Sequence, residues 1–231
     1  IVWIKNRDAT DDHCLFDSVR GATEVLHPNA DTIDTTDTDT LDSFTSDGFQ
    51  VDADVKVNTD TENYVAWCWK ESATSGVDIV SFTGTGSAHT ESHSLSAVPH
   101  FIILRNRETV ENWAVYHHSD TAAPETELLR LNLTNATSDQ DGMWNDTAPT
   151  SSVFTVGTST YTNENTKGMI GYLFTSIQGF NKFGGYTGNG NADGPFIYTG
   201  FRPAWVFFKE TTVDNWVCVD NKRNTYNPVK A

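Results

Sequence analysis

The chain carries the same runs of residues more than once, and this repetition limits what it can fold into more than any other feature. Val2-Trp3-Ile4-Lys5-Asn6-Arg7 returns 100 residues later as Ile102-Ile103-Leu104-Arg105-Asn106-Arg107. It returns again, in outline, as Ala204-Trp205-Val206-Phe207-Phe208-Lys209. Each block leads into a second apolar run: Asp12 to Phe16, Asn112 to Tyr116 and Asn215 to Val219. Further along, Gly48-Phe49-Gln50-Val51 and Tyr64-Val65-Ala66-Trp67 match Val153-Phe154-Thr155-Val156 and Met169-Ile170-Gly171-Tyr172, both at a spacing of 105. Ser81 to Gly86 matches Gly185 to Gly190, and Ala97-Val98-Pro99 matches Phe201-Arg202-Pro203, both at 104. A common order at a near-constant spacing is what tandem copying produces.

The copied unit reads as β throughout. Its apolar runs are short and rich in Val, Ile, Phe, Tyr and Trp, with Gly, Asn, Asp, Thr and Pro between them. From Asn112 to His117, Trp113, Val115 and His117 share one face and Ala114 and Tyr116 the other, so an inner strand covered on both sides is expected. Only Glu125 to Leu133 offers a helical turn, and a strand fits it equally. The expected fold is all-β, with tandem β-sandwich (jelly-roll-like) repeats of about 100 residues. The small polar stretches Ser72 to Gly76 and Thr175 to Gly179 are natural seams. They give a partial first unit over 1–75, a complete second unit over 76–178 and a partial third unit over 179–231. A partial sandwich exposes strand edges. Either the parent polypeptide continues, or the partial units complete each other within one molecule or between neighbours.

Charge narrows the partners. Fifteen Lys and Arg face 31 Asp and Glu, a formal net charge of −16. No basic excess exists to displace counterions from phosphates, which argues against nucleic acid and anionic membrane surfaces. No apolar run is long enough for membrane insertion. Carboxylates spread over Asp31 to Asp42 suit a particle dispersed in saline water. Cys14, Cys68 and Cys218 are odd in number, widely spaced and set in apolar runs. They read as small buried hydrophobes and not as disulfide or zinc ligands.

Several clusters have candidate chemistry. Trp144, Asn145 and Asp146 join an aromatic ring to amide and carboxylate groups, the pairing that binds a sugar face and its hydroxyls. Asp37, Asp39 and Asp42 could hold calcium, although the spacing of a helix–loop–helix calcium site is missing and a solvated acidic loop is the default. His89, Glu91 and His93 alternate as they would on one strand face, yet a polar connection between Gly86 and Val98 is the simpler expectation. His117 and His118 are adjacent and point to opposite faces of a strand, so they cannot readily share a ligand. The glycines from Gly184 to Gly190 lack the Lys-Ser/Thr of a phosphate loop and read as a tight turn. No nucleophile elbow is present. A non-enzymatic chain without a required cofactor is expected.

Val2 to Arg7, Leu15 to Gly21, Ser46 to Phe49, Tyr64 to Lys70 and Phe82 to Gly86 together resemble a tandem domain of phage structural proteins, common in phages of marine bacteria. Tyr186 to Phe196, running on to Gly200-Phe201-Arg202-Pro203-Ala204-Trp205-Val206, resembles it too. The resemblance implies a virion structural protein in an extracellular particle: a tail fibre, an appendage or a capsid decoration. It implies partners among copies of itself or other virion proteins, with adhesion to host surface glycans, and it supplies no catalytic residues. Three features depart from the pattern. The first copy lacks the Gly-Phe-x-Pro lead seen at Gly200 to Pro203, His117-His118-Ser119 stands where the first copy has Asp17-Ser18-Val19, and the third copy stops at Tyr226-Asn227-Pro228-Val229. The rival readings are a carbohydrate-binding module, a glycan-degrading enzyme with paired carboxylates in a groove, and a filament subunit joined by strand complementation.

Overall fold

A computed structural model describes residues 1–223; the expected end of the third copy at Tyr226 to Val229 lies outside the described residues. The first stretch forms β1 (Val2–Asn6), β2 (Cys14–Asp17), β3 (Gly21–Leu26), β4 (Thr35–Thr36), β5 (Leu41–Phe44), β6 (Phe49–Val51), the one-turn helix α1 (Val55–Asn58) and β7 (Tyr64–Cys68). The second forms β8 (Val77–Thr83), β9 (His89–Ser92), β10 (Phe101–Asn106), β11 (Ala114–His117), β12 (Glu127–Arg130), β13 (Ser138–Asp139), β14 (Val153–Val156), α2 (Thr160–Asn163) and β15 (Gly168–Phe174). The hairpin β16 (Trp205–Phe208) and β17 (Val217–Asp220) follows. The protein is all-β, and every strand pair is antiparallel. Of the two options for Glu125 to Leu133, the strand forms, preceded by a 3-10 turn at Pro124–Thr126.

The main sheets run β4-β3-β2-β1-β7 and β13-β12-β11-β10-β15-β8. Strand for strand the two orders agree, except that β8 has no counterpart beside β7. Over the outer face of the first sheet lie the β5-β6 hairpin and α1, which bury Val2, Ile4, Phe16, Val25, Leu41 and Val57. Over the second lie β9-β14 and α2, which bury Ile102, Leu104, Tyr116, Leu128, Phe154 and Val156. Local chemistry sets these helices the same way. Asp54 caps α1 by accepting from the Lys56 N–H, and Ser159 caps α2 by accepting from the Tyr161 N–H. Buried Asn6 and Asn106 each accept two N–H groups of the following turn and donate to a carboxylate, Glu62 or Glu164, at 2.6 Å. At the seam, Ser72 bridges Val77 and Ile177 bridges Asn181. Gly76 is needed there: its φ is +70° and a Cβ would come within 2.6 Å of the Thr175 carbonyl.

The inner faces of both sheets bury a single core. Ile1, Leu15 and Leu26 pack with Ile79, Phe101, Ile103, Trp113, Val115, Leu129, Ile170 and Tyr172, and Trp3, Phe207 and Trp216 close over them. As the alternation at Trp113 to His117 requires, β11 is covered on both sides.

The contacts between units repeat. Cross-strand register places Val2 opposite Phe16, Ile102 opposite Tyr116 and Val206 opposite Val219. Asp17, His117 and Asp220 therefore correspond, as do His13, Trp113 and Trp216. The indole N–H of Trp113 donates to the carbonyls of His27 and Ala30 in the first unit, at 3.1 and 3.0 Å. That of Trp216 donates to the carbonyl of Arg130 in the second unit, at 2.8 Å. The Tyr172 hydroxyl donates to Asp17 at 2.7 Å, and its counterpart Trp67 reaches Asp220 at 3.4 Å. The Asp34 N–H donates to the Arg107 carbonyl, and the Thr137 N–H to the Thr211 carbonyl. First unit meets second, second meets hairpin, and hairpin meets first, so the contacts close a ring.

The Asp–Arg pair is the same motif in two settings. Arg20 pairs with Asp17 at 2.6 Å and Asp34 at 2.8 Å, with its side chain fully buried. Burial opposes ionisation of Asp17, but Arg20, the turn N–H groups and Tyr172 outweigh it and hold its pKa low. Arg223 pairs with Asp220 at 2.6 Å while partly exposed over the Trp67 ring. Arg20→Met should cost about 3–5 kcal/mol in urea unfolding, because it leaves the fully buried Asp17 carboxylate without its cation, while Asp34 keeps Arg107 at 2.7 Å. Arg223→Met should cost about 1 kcal/mol or less.

Candidate functional site

The sequence-selected groups do not come together as sites. Trp144 is 2% exposed; it packs edge-on against Tyr116, and its N–H donates to the Glu127 carbonyl at 2.8 Å. Its ring presents no face to a sugar, so the expected glycan contact at Trp144 is corrected to a core anchor. Asn145 and Asp146 follow it in an exposed turn at φ 52° and 47°. Asp37, Asp39 and Asp42 do not converge on a cation, and no metal-holding group of three occurs among the described residues. Asp37 instead caps the Asp39 N–H and lies 3.9 Å from Lys56, whose ammonium pairs with Asp54 at 3.0 Å. Lys56 therefore serves Asp37 and Asp54, and among the described residues no shared cation joins it to Asp39 or Asp42.

His89 and Glu91 lie on strand β9, not in the expected polar loop, because β9 pairs with β14. Their side chains bond at 2.8 Å, while His93 turns away to the Thr150 carbonyl. Cys14 is buried as expected, and burial pushes its thiol up to about 12. Cys68 is exposed, against expectation, because among the described residues no strand lies outside β7. The stretch from Gly184 to Gly190 makes no hairpin turn and pairs with no strand.

Two places carry chemistry that the structure brings out, the first unmarked in the sequence and the second marked there only as adjacent histidines. One is an aromatic cleft of about 310 Å³ where hairpin and first unit meet, lined by Trp3, His13, Trp67, Trp205, Phe207 and Trp216. Phe207 and Trp216 stack at 4.7 Å, and Trp3 stands edge-on to Trp67 at 6.0 Å. All four indole N–H groups are already bonded, to His13, Asp220, Cys218 and Arg130. What remains to a ligand is ring face, rimmed by Asn29, Asn132 and exposed Asn215.

The other is His117, in the position of Asp17 and Asp220. Its Nδ1 accepts the Ser119 N–H at 3.1 Å, as Asp17 accepts Val19 and Asp220 accepts Lys222. A neutral imidazole thus replaces a carboxylate oxygen. His100 and His118 lie against it, with their own rings 4.4 Å apart. Burial, then the two neighbouring imidazoles, lowers the His117 pKa to about 4. His13, whose Nδ1 accepts the Trp3 indole N–H, is lowered to about 4 mainly by burial. Alignment of the first and second copies contains the Asp-to-His exchange, but its meaning needs the turn geometry.

The match to known families covers residues 1–231. The chain belongs to the family described as Domain of unknown function (DUF7483). No curated protein and no solved structure matches this DUF7483 chain.

The two histidines set a pH dependence. Their folded pKa values lie below the ordinary value near 6.5, so the unfolded chain binds more protons between about 6.5 and 4. The stability they allow is fully present above pH 6.5 and falls as pH drops towards 4. Each contributes a slope of up to about 1.4 kcal/mol per pH unit. His117→Asn keeps an acceptor for Ser119 and should remove one proton's share of that slope in unfolding measured from pH 7 to 4.

Proposed function

We propose that this chain is a non-enzymatic structural component of a phage virion, part of a tail fibre, appendage or capsid decoration, working outside the cell. The observation that carries the structural reading is the ring of repeated contacts. First and second units meet through the Trp113 indole and the Tyr172 bond to Asp17, second unit and hairpin through the Trp216 indole on Arg130, and hairpin and first unit through Trp67 on Asp220. Such modules are building material. Buried titratable side chains support the same view, since His13, His117, Asp17 and Tyr172 are spent on turns and junctions. The link to a virion comes from the motif resemblance of the repeats. Purified phage particles carrying this gene should label with antibody raised against the chain, at one repeated location in electron micrographs. Absence of the chain from intact particles would overturn the virion reading.

A second reading, adhesion to host glycans, is favoured by the aromatic cleft and not by Trp144. Rings with free faces beside amide groups suit a pyranose. On a glycan array, Asn215→Ala and Trp67→Ala should each lose at least tenfold in binding, with Asn215→Ala melting as the parent does. Binding unchanged by both would remove the cleft from consideration.

A further inference from the structure

Strand β15 is protected along its outer edge by β8 over seven residue pairs, from Gly168 opposite Thr83 to Phe174 opposite Val77. Its counterpart β7 ends its sheet, and among the described residues no strand pairs with its outer edge. The difference is visible in burial. Almost all of β15 is buried, whereas Ala66 and Cys68 of β7 are exposed. An edge of Tyr-Val-Ala-Trp-Cys with free N–H and C=O groups is a template for another strand.

A stretch with the sequence of such a strand, but outside any described sheet, lies in the same chain. The Ile177–Asn181 bridge repeats the Ser72–Val77 bridge that launches β8. After it, Tyr186-Thr187-Gly188 follows as Phe82-Thr83-Gly84 does at the end of β8. Phe183 is seated on Phe101, stacked at 5.8 Å, but residues 184–204 belong to no strand. Tyr186 is 55% exposed, and Phe196 and Tyr198 further along are 88% and 79% exposed.

We propose that residues 182–187 of one copy of this chain add to the outer edge of β7 in a second copy. They adopt the antiparallel register that β8 has on β15, which puts Lys182 opposite Cys68 and Tyr186 opposite Tyr64. Charge favours this choice of partner. In a chain of net charge −16, residues 180–190 carry no acid and a single Lys, and residues 64–68 carry no charge. These two stretches can approach where most surfaces of two copies repel. The inference deepens the assembly reading and rests on it. Its test is separable from particle labelling, because self-association of the purified chain needs no virion.

The whole chain should rise above its 25.6 kDa monomer mass with concentration in light scattering after gel filtration. Tyr186→Asp, in an exposed position, should lower the association at least tenfold without changing the melting temperature. Lys182→Cys under mild oxidation should give a disulfide between copies that Cys68→Ser abolishes. Tyr186→Cys, four residues out of register, should cross-link to Cys68 much less. A monomer at every concentration would overturn the proposal, and so would equal cross-linking from positions 182 and 186.

Discussion

A sheet with apolar residues on both faces cannot stand alone, and this constraint governs the molecule. Each main sheet has its outer face covered by its own two-stranded antiparallel pair and helix turn. Its inner face has no cover of its own. Ile1, Leu15 and Leu26 leave water only by meeting Phe101, Val115 and Tyr172 from the next unit, with Phe207 and Trp216 arriving from the hairpin. Removing each such side chain from water is worth about 1.5–3 kcal/mol. The core therefore belongs to no single unit, and folding and association of units are one event.

Directional contacts fix how the apolar faces meet. A greasy interface alone would let one sheet slide on another. The indole bonds of Trp113 and Trp216 and the Tyr172 bond to Asp17 allow one register. Arg105 adds to the first junction. Its guanidinium is buried under Trp113 and donates to the carbonyls of Asp31 and Thr32 in the first unit, while its Nε has no partner. Lys5 and Lys209, in the corresponding positions, are shorter and bond only to carbonyls of their own turns.

Much of this was legible in the sequence, and the limits have physical causes. Strand runs could be read because the same apolar alternation occurs in two copies, and Trp113 to His117 showed a strand covered on both faces. Trp144 misled because an indole beside an amide and a carboxylate looks alike in a sugar site and in a core. Only Tyr116 and the Glu127 carbonyl distinguish them. Cys68 misled for the opposite reason, since its run is as apolar as any buried strand and its exposure follows from the absence, among the described residues, of a strand outside β7. The Asp17–Tyr172 bond joins residues 155 positions apart, so no local pattern announces it.

The exchange of Asp17 for His117, and of Arg20 for Asp120, reverses the polarity of one corner while leaving its backbone turn intact. Sheets of like topology on one chain face a sorting problem, because either could nestle against the wrong neighbour. A shuffled arrangement would set the Asp120 carboxylate where a guanidinium belongs and deprive Tyr172 of its acceptor. Small chemical spelling differences at equivalent corners thus favour one arrangement of the two sheets and the hairpin.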